Sequence, residues 1–189
     1  MRITGGQARG IPLALPKGDA VRPATDALRQ AVFSSLAARV PGTQFLDLFA
    51  GSGAYGLEAL SRGAAGGVFV ERDDRTAAFI RQNLAAVCKS LGRDIGGVQI
   101  VTADATSVVL TAVPDLVFID PPYEIIREVG PKLFVRLTEL LKERVDPLVV
   151  FEMPGEIELA PPDWTCVKRL GKGGRQPTAC IFRSSRAAP

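Results

Sequence analysis

The chain has no histidine among its 189 residues. That absence removes Ser-His-Asp and Cys-His catalysis, imidazole general bases and His-ligated metals together. Cysteine is scarce: Cys88, Cys166 and Cys180 are odd in number and never form CxxC, so no disulfide framework or structural zinc is expected and the setting reads as reducing and cytoplasmic. No apolar run approaches the roughly eighteen residues of a membrane span, and Met1-Arg2-Ile3-Thr4-Gly5-Gly6 lacks the apolar segment of a signal peptide. Chemistry here has to come from carboxylates, backbone groups or a cofactor that brings its own reactivity.

What is present is ordinary in bulk and uneven in detail. Hydrophobic residues make up 47% and charged residues 23%, which fits one compact domain with a modest appendage. The formal net charge of +3 conceals a pattern. Residues 1–30 carry five basic and two acidic side chains, residues 165–189 six basic and none acidic, and the stretch between them twelve basic and eighteen acidic. Basic ends around an acidic centre point to a polyanionic partner.

The centre alternates short apolar runs with helical periods. Phe45–Phe49, Val68–Glu71, Val98–Val101, Leu116–Ile119 and Leu148–Phe151 read as strands buried on both faces. Ala77, Ile80, Leu84, Val87 and Leu91 recur at helical spacing, as do Leu133, Leu137, Leu140 and Leu141 after Pro131, which is expected in a first turn. Five strand–helix alternations predict βαβ units and a parallel sheet covered on both sides. A β-hairpin is expected within 1–24, a helix starting at Thr25 as N-cap with Leu28, Val32 and Leu36 on one face, and an antiparallel pair, Cys166–Leu170 and Ala179–Phe182, at the sheet edge. The core domain is then 25–184, with 185–189 as a flexible tail.

The first strand leads into Asp47-Leu48-Phe49-Ala50-Gly51-Ser52-Gly53-Ala54-Tyr55-Gly56. Gly51, Gly53 and Gly56 satisfy GxGxxG, and Glu71 ends the next strand 20 positions after Gly51, where a carboxylate can accept both hydrogen bonds of a ribose diol. A nucleoside-containing cofactor is expected here. Asp47 selects among such cofactors: a carboxylate would repel a pyrophosphate but suits the cationic amino and sulfonium groups of S-adenosylmethionine. Asp104, with Ala105 beside it, is placed either at the adenine edge or as a helix N-cap.

The fourth strand runs into Asp120-Pro121-Pro122-Tyr123. In a doubly wound sheet this tetrapeptide faces the same crevice as the glycine loop. An exocyclic base amine is a poor nucleophile because its lone pair is delocalised. Hydrogen-bond acceptors on Asp120 and the Pro121 carbonyl would orient that lone pair and stabilise developing positive charge. The Pro-Pro step presents acceptors without donors, and Tyr123 can stack on a base.

With these motifs and the N-terminal pieces Arg2-Ile3-Thr4-Gly5-Gly6 and Arg22-Pro23-Ala24-Thr25-Asp26, the chain resembles the bacterial methyltransferases that modify the N2 amine of a guanine in 16S ribosomal RNA. The resemblance implies a Rossmann-like class I methyltransferase fold: a mainly parallel seven-stranded sheet with an antiparallel C-terminal strand, plus a small N-terminal hairpin that helps hold RNA. It implies S-adenosylmethionine as cofactor, held by Asp47, Phe49, Gly51, Ser52, Gly53, Gly56, Glu71, Arg72, Asp104 and Ala105, and no metal. Asp120, Pro121, Pro122 and Tyr123 would bind the amine, and Arg2, Arg9, Arg22, Thr25 and Arg29 the RNA. Its partner would be ribosomal RNA or the small ribosomal subunit, and the chain a monomer. Departures from the family pattern fall at Ala27, Gln30 and Ser34 in the N-terminal helix and at Arg175-Gln176-Pro177-Thr178 near the end. A methyltransferase for another RNA or for DNA, and a non-catalytic RNA-binding assembly factor, stay open as alternatives.

Overall fold

The computed structural model describes residues 1–16, 23–92, 94, 96–110 and 113–186, with backbone alone at 23–25. Arg22 therefore lies outside the described residues, as do the side chain of Thr25 and positions 187–189.

Seven strands form one sheet: β1 (Gln44–Leu48), β2 (Gly66–Glu71), β3 (Val98–Thr102), β4 (Leu116–Ile119), β5 (Leu148–Pro154), β6 (Trp164–Gly171) and β7 (Pro177–Ser184). Their order is β3-β2-β1-β4-β5-β7-β6. The pairs among β1 to β5 are parallel, and β7 runs antiparallel to both β5 and β6. Leu116, Val117, Phe118 and Ile119 are all buried, as is the whole of β5, which is why these strands read as unbroken apolar runs. On the edge strand β6 the register shifts between Cys166 and Lys168.

The helices are α1 (Pro23–Ser35), α2 (Ala54–Ser61), α3 (Asp74–Leu91) and α4 (Ile126–Leu140). Side chains of α1, α2 and α3 share one core with Phe45, Phe69, Phe118 and Val150, whereas α4 packs with Leu46, Val117, Val149 and Phe151 on the opposite face. Successive strand residues alternate between these two cores. Gly56 lets α2 approach the sheet, since a Cβ there would run into the Phe69 and Phe45 rings, and Gly67 on β2 leaves room for the Phe45 ring of the neighbouring strand.

Three expectations need correction. The helix α1 begins at Pro23, so Thr25 lies within it and is not its cap. Pro131 lies inside α4 and not in its first turn. A short 3₁₀ turn, Tyr123–Ile125, leads into that helix, and Ile126, Val129 and Gly130 are already on its buried stripe. Between β3 and β4 the described residues form no helix; Ser107 and Val108 N–H donate back to the Asp104 carbonyl in a turn.

The N-terminal hairpin reduces to one antiparallel bridge, Arg2 to Pro12, flanked by Ile3 N–H to the Ile11 carbonyl at 3.0 Å and Gly10 N–H to the Ile3 carbonyl at 2.9 Å. It lies outside the sheet yet is fastened to the domain, with Ile3, Ala8 and Leu13 buried in the α1–α3 core. Glu58 of α2, fully buried, accepts the Thr4 N–H at 2.7 Å and the Thr4 hydroxyl at 2.8 Å. At the other end Ser185 N–H donates to the Asp163 carbonyl at 2.7 Å and Arg186 pairs with the Asp163 carboxylate at 2.8 Å, which ties down the start of the expected tail.

Candidate active site

Strand order reverses between β1 and β4, and a cleft of about 1010 Å³ opens beyond their carboxyl ends. Its walls include Asp47, Phe49, Gly51, Ser52, Glu71, Arg72, Asp104, Ala105, Asp120, Pro121, Pro122 and Tyr123. These twelve residues, with Arg29, make thirteen of those singled out by sequence that are brought together.

The loop after β1 is set by backbone geometry. Phe49 has φ 60, an uncommon left-handed conformation for a bulky residue, and Gly51 (φ 54) and Gly53 (φ 80) follow it. Ala50 N–H to the Val70 carbonyl at 3.0 Å fixes the turn on the sheet. A Cβ on Gly51 would meet only the Phe49 carbonyl, 4.0 Å away, so this glycine keeps a face of the loop open. Gly53 and Gly56 are absent from the cleft wall. Gly53 caps α2, and Gly56 permits close packing and donates its N–H to Asp47 Oδ2 at 2.9 Å.

From the end of β2, Glu71 accepts the Gly51 N–H of this loop on Oε2 at 2.9 Å and the Asp73 N–H on Oε1 at 3.0 Å. A carboxylate has about four lone-pair sites, so each oxygen keeps capacity toward the cleft. Asp104 closes a turn through the Thr106 N–H at 2.7 Å and the Thr106 hydroxyl at 2.5 Å. Those bonds hold its carboxyl below the usual range. Arg136 of α4 braces the turn from behind, its guanidinium on the carbonyls of Ala105, Thr106 and Val108. Asn83 of α3 joins the loop to the N-terminal segment: its amide donates to the carbonyls of Ser52 (2.9 Å) and Ala14 (3.0 Å) and accepts the Ala14 N–H (2.7 Å).

Parity places three carboxylates on one face of the sheet. Asp47 is in register with Phe118, and Phe118 with Val150; Asp120 and Glu152 lie two residues beyond these partners and so point to the α1–α3 side. Asp47, buried and desolvated, is pushed up to about 8, with the Gly56 N–H and Arg29 opposing and Glu71 adding to the rise. Asp120 reaches the open cleft with part of its surface, yet desolvation at the cleft floor, and then the charges of Glu152 and Asp47, raise it well above the usual carboxylate range against the opposing charge of Arg29. Glu152 is raised by burial, against a hydrogen bond from Tyr55 and the charge of Arg29.

Arg29 corrects an expectation. It is 2% exposed, paired with Asp26 at 2.8 Å and Glu58 at 3.4 Å, and bonded to the Arg2 carbonyl at 2.6 Å. It faces the cleft as the counter-charge to Asp47, Asp120 and Glu152 and does not present itself to a phosphate on the surface. Arg2 and Arg9 are exposed, and no described carboxylate pairs with either side chain.

Sequence reasoning missed Tyr55 and Glu152. The Tyr55 hydroxyl donates to Glu152 Oε2 at 2.7 Å, and its ring stacks on Phe118 at 5.3 Å beside Phe33. Tyr55 lies inside the glycine motif, yet nothing local shows that it meets a residue 97 positions away.

A sheet of order 3-2-1-4-5-7-6 with a reversed seventh strand, glycine loop and Asp-Pro-Pro-Tyr facing one cleft, is the Rossmann-like class I methyltransferase fold. The solved structure of yhhF from Escherichia coli superposes with a TM-score of 0.74 at 30% identity, covering 97% of each chain. The chain belongs to the family described as Conserved hypothetical protein 95, which it matches over residues 1–179. Ribosomal RNA small subunit methyltransferase D of Escherichia coli (strain K12) is 41% identical over 125 residues, a stretch covering 65% of this chain and 60% of that protein. The Bacillus subtilis protein YlbH is 32% identical over 169 residues, covering 84% of this chain and 85% of YlbH.

Proposed function

We propose that this protein transfers a methyl group from S-adenosylmethionine to the N2 amine of a guanine in small-subunit ribosomal RNA. The observation that carries this reading is the arrangement of Asp47, Glu71 and Asp120 around one cleft at the strand switch. The name of the Escherichia coli relative supports the substrate class.

The residues present fit the cofactor. Asp47 offers a poorly solvated carboxylate with one N–H partner to a cation, Glu71 keeps acceptor capacity for a ribose diol, and Gly51 leaves the loop open. S-adenosylmethionine would supply an activated methyl group with a neutral thioether as leaving group. Asp120 and the Pro121 carbonyl then accept hydrogen bonds from the amine, and Tyr123 stacks on the base. Methylation of the amine would leave its nitrogen with one proton to lose. Asp120, in its ionised form, is the acceptor placed to receive it.

RNA would approach over the exposed Arg2 and Arg9 and the exposed Lys168, Lys172 and Arg175 of the β6–β7 region. The test is incubation of labelled cofactor with unmodified small subunits, naked ribosomal RNA and DNA, followed by nucleoside analysis. Label is expected in small-subunit RNA as N2-methylguanosine. Label confined to DNA, or on another atom of the base, overturns the reading.

A further inference from the structure

We infer that Glu152 reads the target base: its carboxylate accepts the N1–H and one N2–H of a guanine whose other N2–H faces Asp120. The inference rests on the reading of the cleft as a guanine-N2 methyltransferase site and assigns the recognition of guanine within it.

Asp120 follows the last residue of β4 and Glu152 lies within the adjacent parallel strand β5, and the two point to the same face, since Ile119 pairs with Phe151 immediately before them. Glu152 is only 4% exposed and lines the cleft. Tyr55 holds Oε2, while Oε1 has no described hydrogen bond and is not among the sealed, unpartnered atoms, so it opens to the cleft. A nearly buried carboxylate with one hydrogen bond is an unfinished arrangement that donors from outside would complete.

The pocket therefore offers acceptors. Around it stand Asp120, Glu152 and the Pro121 carbonyl as acceptors; the Arg29 guanidinium also lines the cleft but is committed to Asp26, Glu58 and the Arg2 carbonyl, and the Tyr55 hydroxyl has already spent its proton on Glu152. Among the four standard bases, guanine alone presents two adjacent donors, N1–H and N2–H, on its pairing edge. Adenine and cytosine place a ring nitrogen lone pair next to the amine, which would point at the carboxylate. A bidentate carboxylate matches the guanine pattern and rejects the others through lone-pair repulsion. Tyr55 acts as a positioning residue: it fixes the plane of the Glu152 carboxylate, and its ring is held against Phe118 and Phe33.

The test uses the full-length protein and target RNA in which the mapped nucleotide is guanine or 2-aminopurine. The analogue keeps the N2 amine and replaces N1–H by a lone pair. The wild-type protein should favour guanine in kcat/KM by at least about tenfold, the order expected when a buried acceptor loses its donor. Glu152→Gln should lower transfer to guanine and bring the ratio toward one, because its amide N–H can donate to the analogue's N1. Cofactor affinity, measured by calorimetry, should stay within about twofold. Equal wild-type rates on the two RNAs, or an unchanged ratio in Glu152→Gln, overturn the inference. If that variant does not fold, Tyr55→Phe decides: the ratio should fall several-fold, and an unchanged ratio again overturns it. Absence of wild-type transfer to the guanine RNA overturns the methyltransferase reading itself, a separate result.

Discussion

Beside the glycine loop, Glu71 takes its hydrogen bonds from the backbone N–H groups of Gly51 and Asp73, and Asp104 from the N–H and hydroxyl of Thr106. Under β4 and β5, Asp120 and Glu152 lie side by side with Tyr55 as donor to one of them and Arg29 as the nearby positive charge. The first arrangement is satisfied before any ligand arrives, and the Asp104 carboxyl is held low. In the second, burial disfavours the ionised form, and both carboxyls are raised. A cofactor of constant shape can be met by a preformed cradle. A base amine that must be oriented and then relieved of a proton is met by acceptors that gain most when donors arrive.

The sharpest way to break this contrast is Asp120→Ala. It should reduce turnover by about 10²–10³-fold, as loss of one transition-state hydrogen-bonding group does, while calorimetry shows cofactor affinity nearly unchanged. Equal turnover would remove Asp120 from the chemistry. On the cofactor side, Asp47→Asn preserves shape and an acceptor for the Gly56 N–H but cannot be anionic. Cofactor affinity should fall by about tenfold or more, since a buried charge partner is lost, with the fold kept.

Asp47 also gives a pH signature. With its carboxyl at about 8, a cation-binding site is competent only when ionised, so cofactor affinity should rise about tenfold per pH unit between 6 and 8 and level off above. A flat profile would separate Asp47 from the cation. Stability should move oppositely. The native state holds this proton more tightly than the unfolded chain, whose carboxyl is ordinary, so the contribution of Asp47 is largest at acid pH and is lost as pH rises toward 8. Thermal melts of Asp47→Asn should lack that decline.

The smallest effects distinguish two glycines. Gly56→Ala drives a methyl into Phe69 and Phe45 and should cost about 1–3 kcal/mol in urea unfolding with cofactor affinity retained, because Gly56 does not line the cleft. Gly51→Ala meets open space at φ 54 and should cost about 1 kcal/mol while weakening cofactor binding. The reverse outcome would exchange their roles.

Much of this is legible in the residues. The strands are visible as apolar runs because both faces are buried, and the two motifs fall at neighbouring strand ends because a doubly wound sheet places them there. Glu152 escapes because its run reads as ending at Phe151; a buried carboxylate mimics a strand terminus, and the burial depends on Tyr55 from another element. Arg29 reads as surface because arginine usually is. The signal that places it inside is its spacing: with Leu28, Val32, Phe33 and Leu36 it falls on the apolar stripe of α1. Ile126 and Val129 similarly extend the α4 pattern upstream of Pro131.

One end of the sheet is β6, open along its outer side and exposed over most of its length. The register shift at Cys166/Lys168 interrupts the ladder there, and Lys168 and Arg169 put positive charge on the rim. A strand from another copy would meet a kinked, cationic border, so the open edge is a poor template for aggregation while the chain folds.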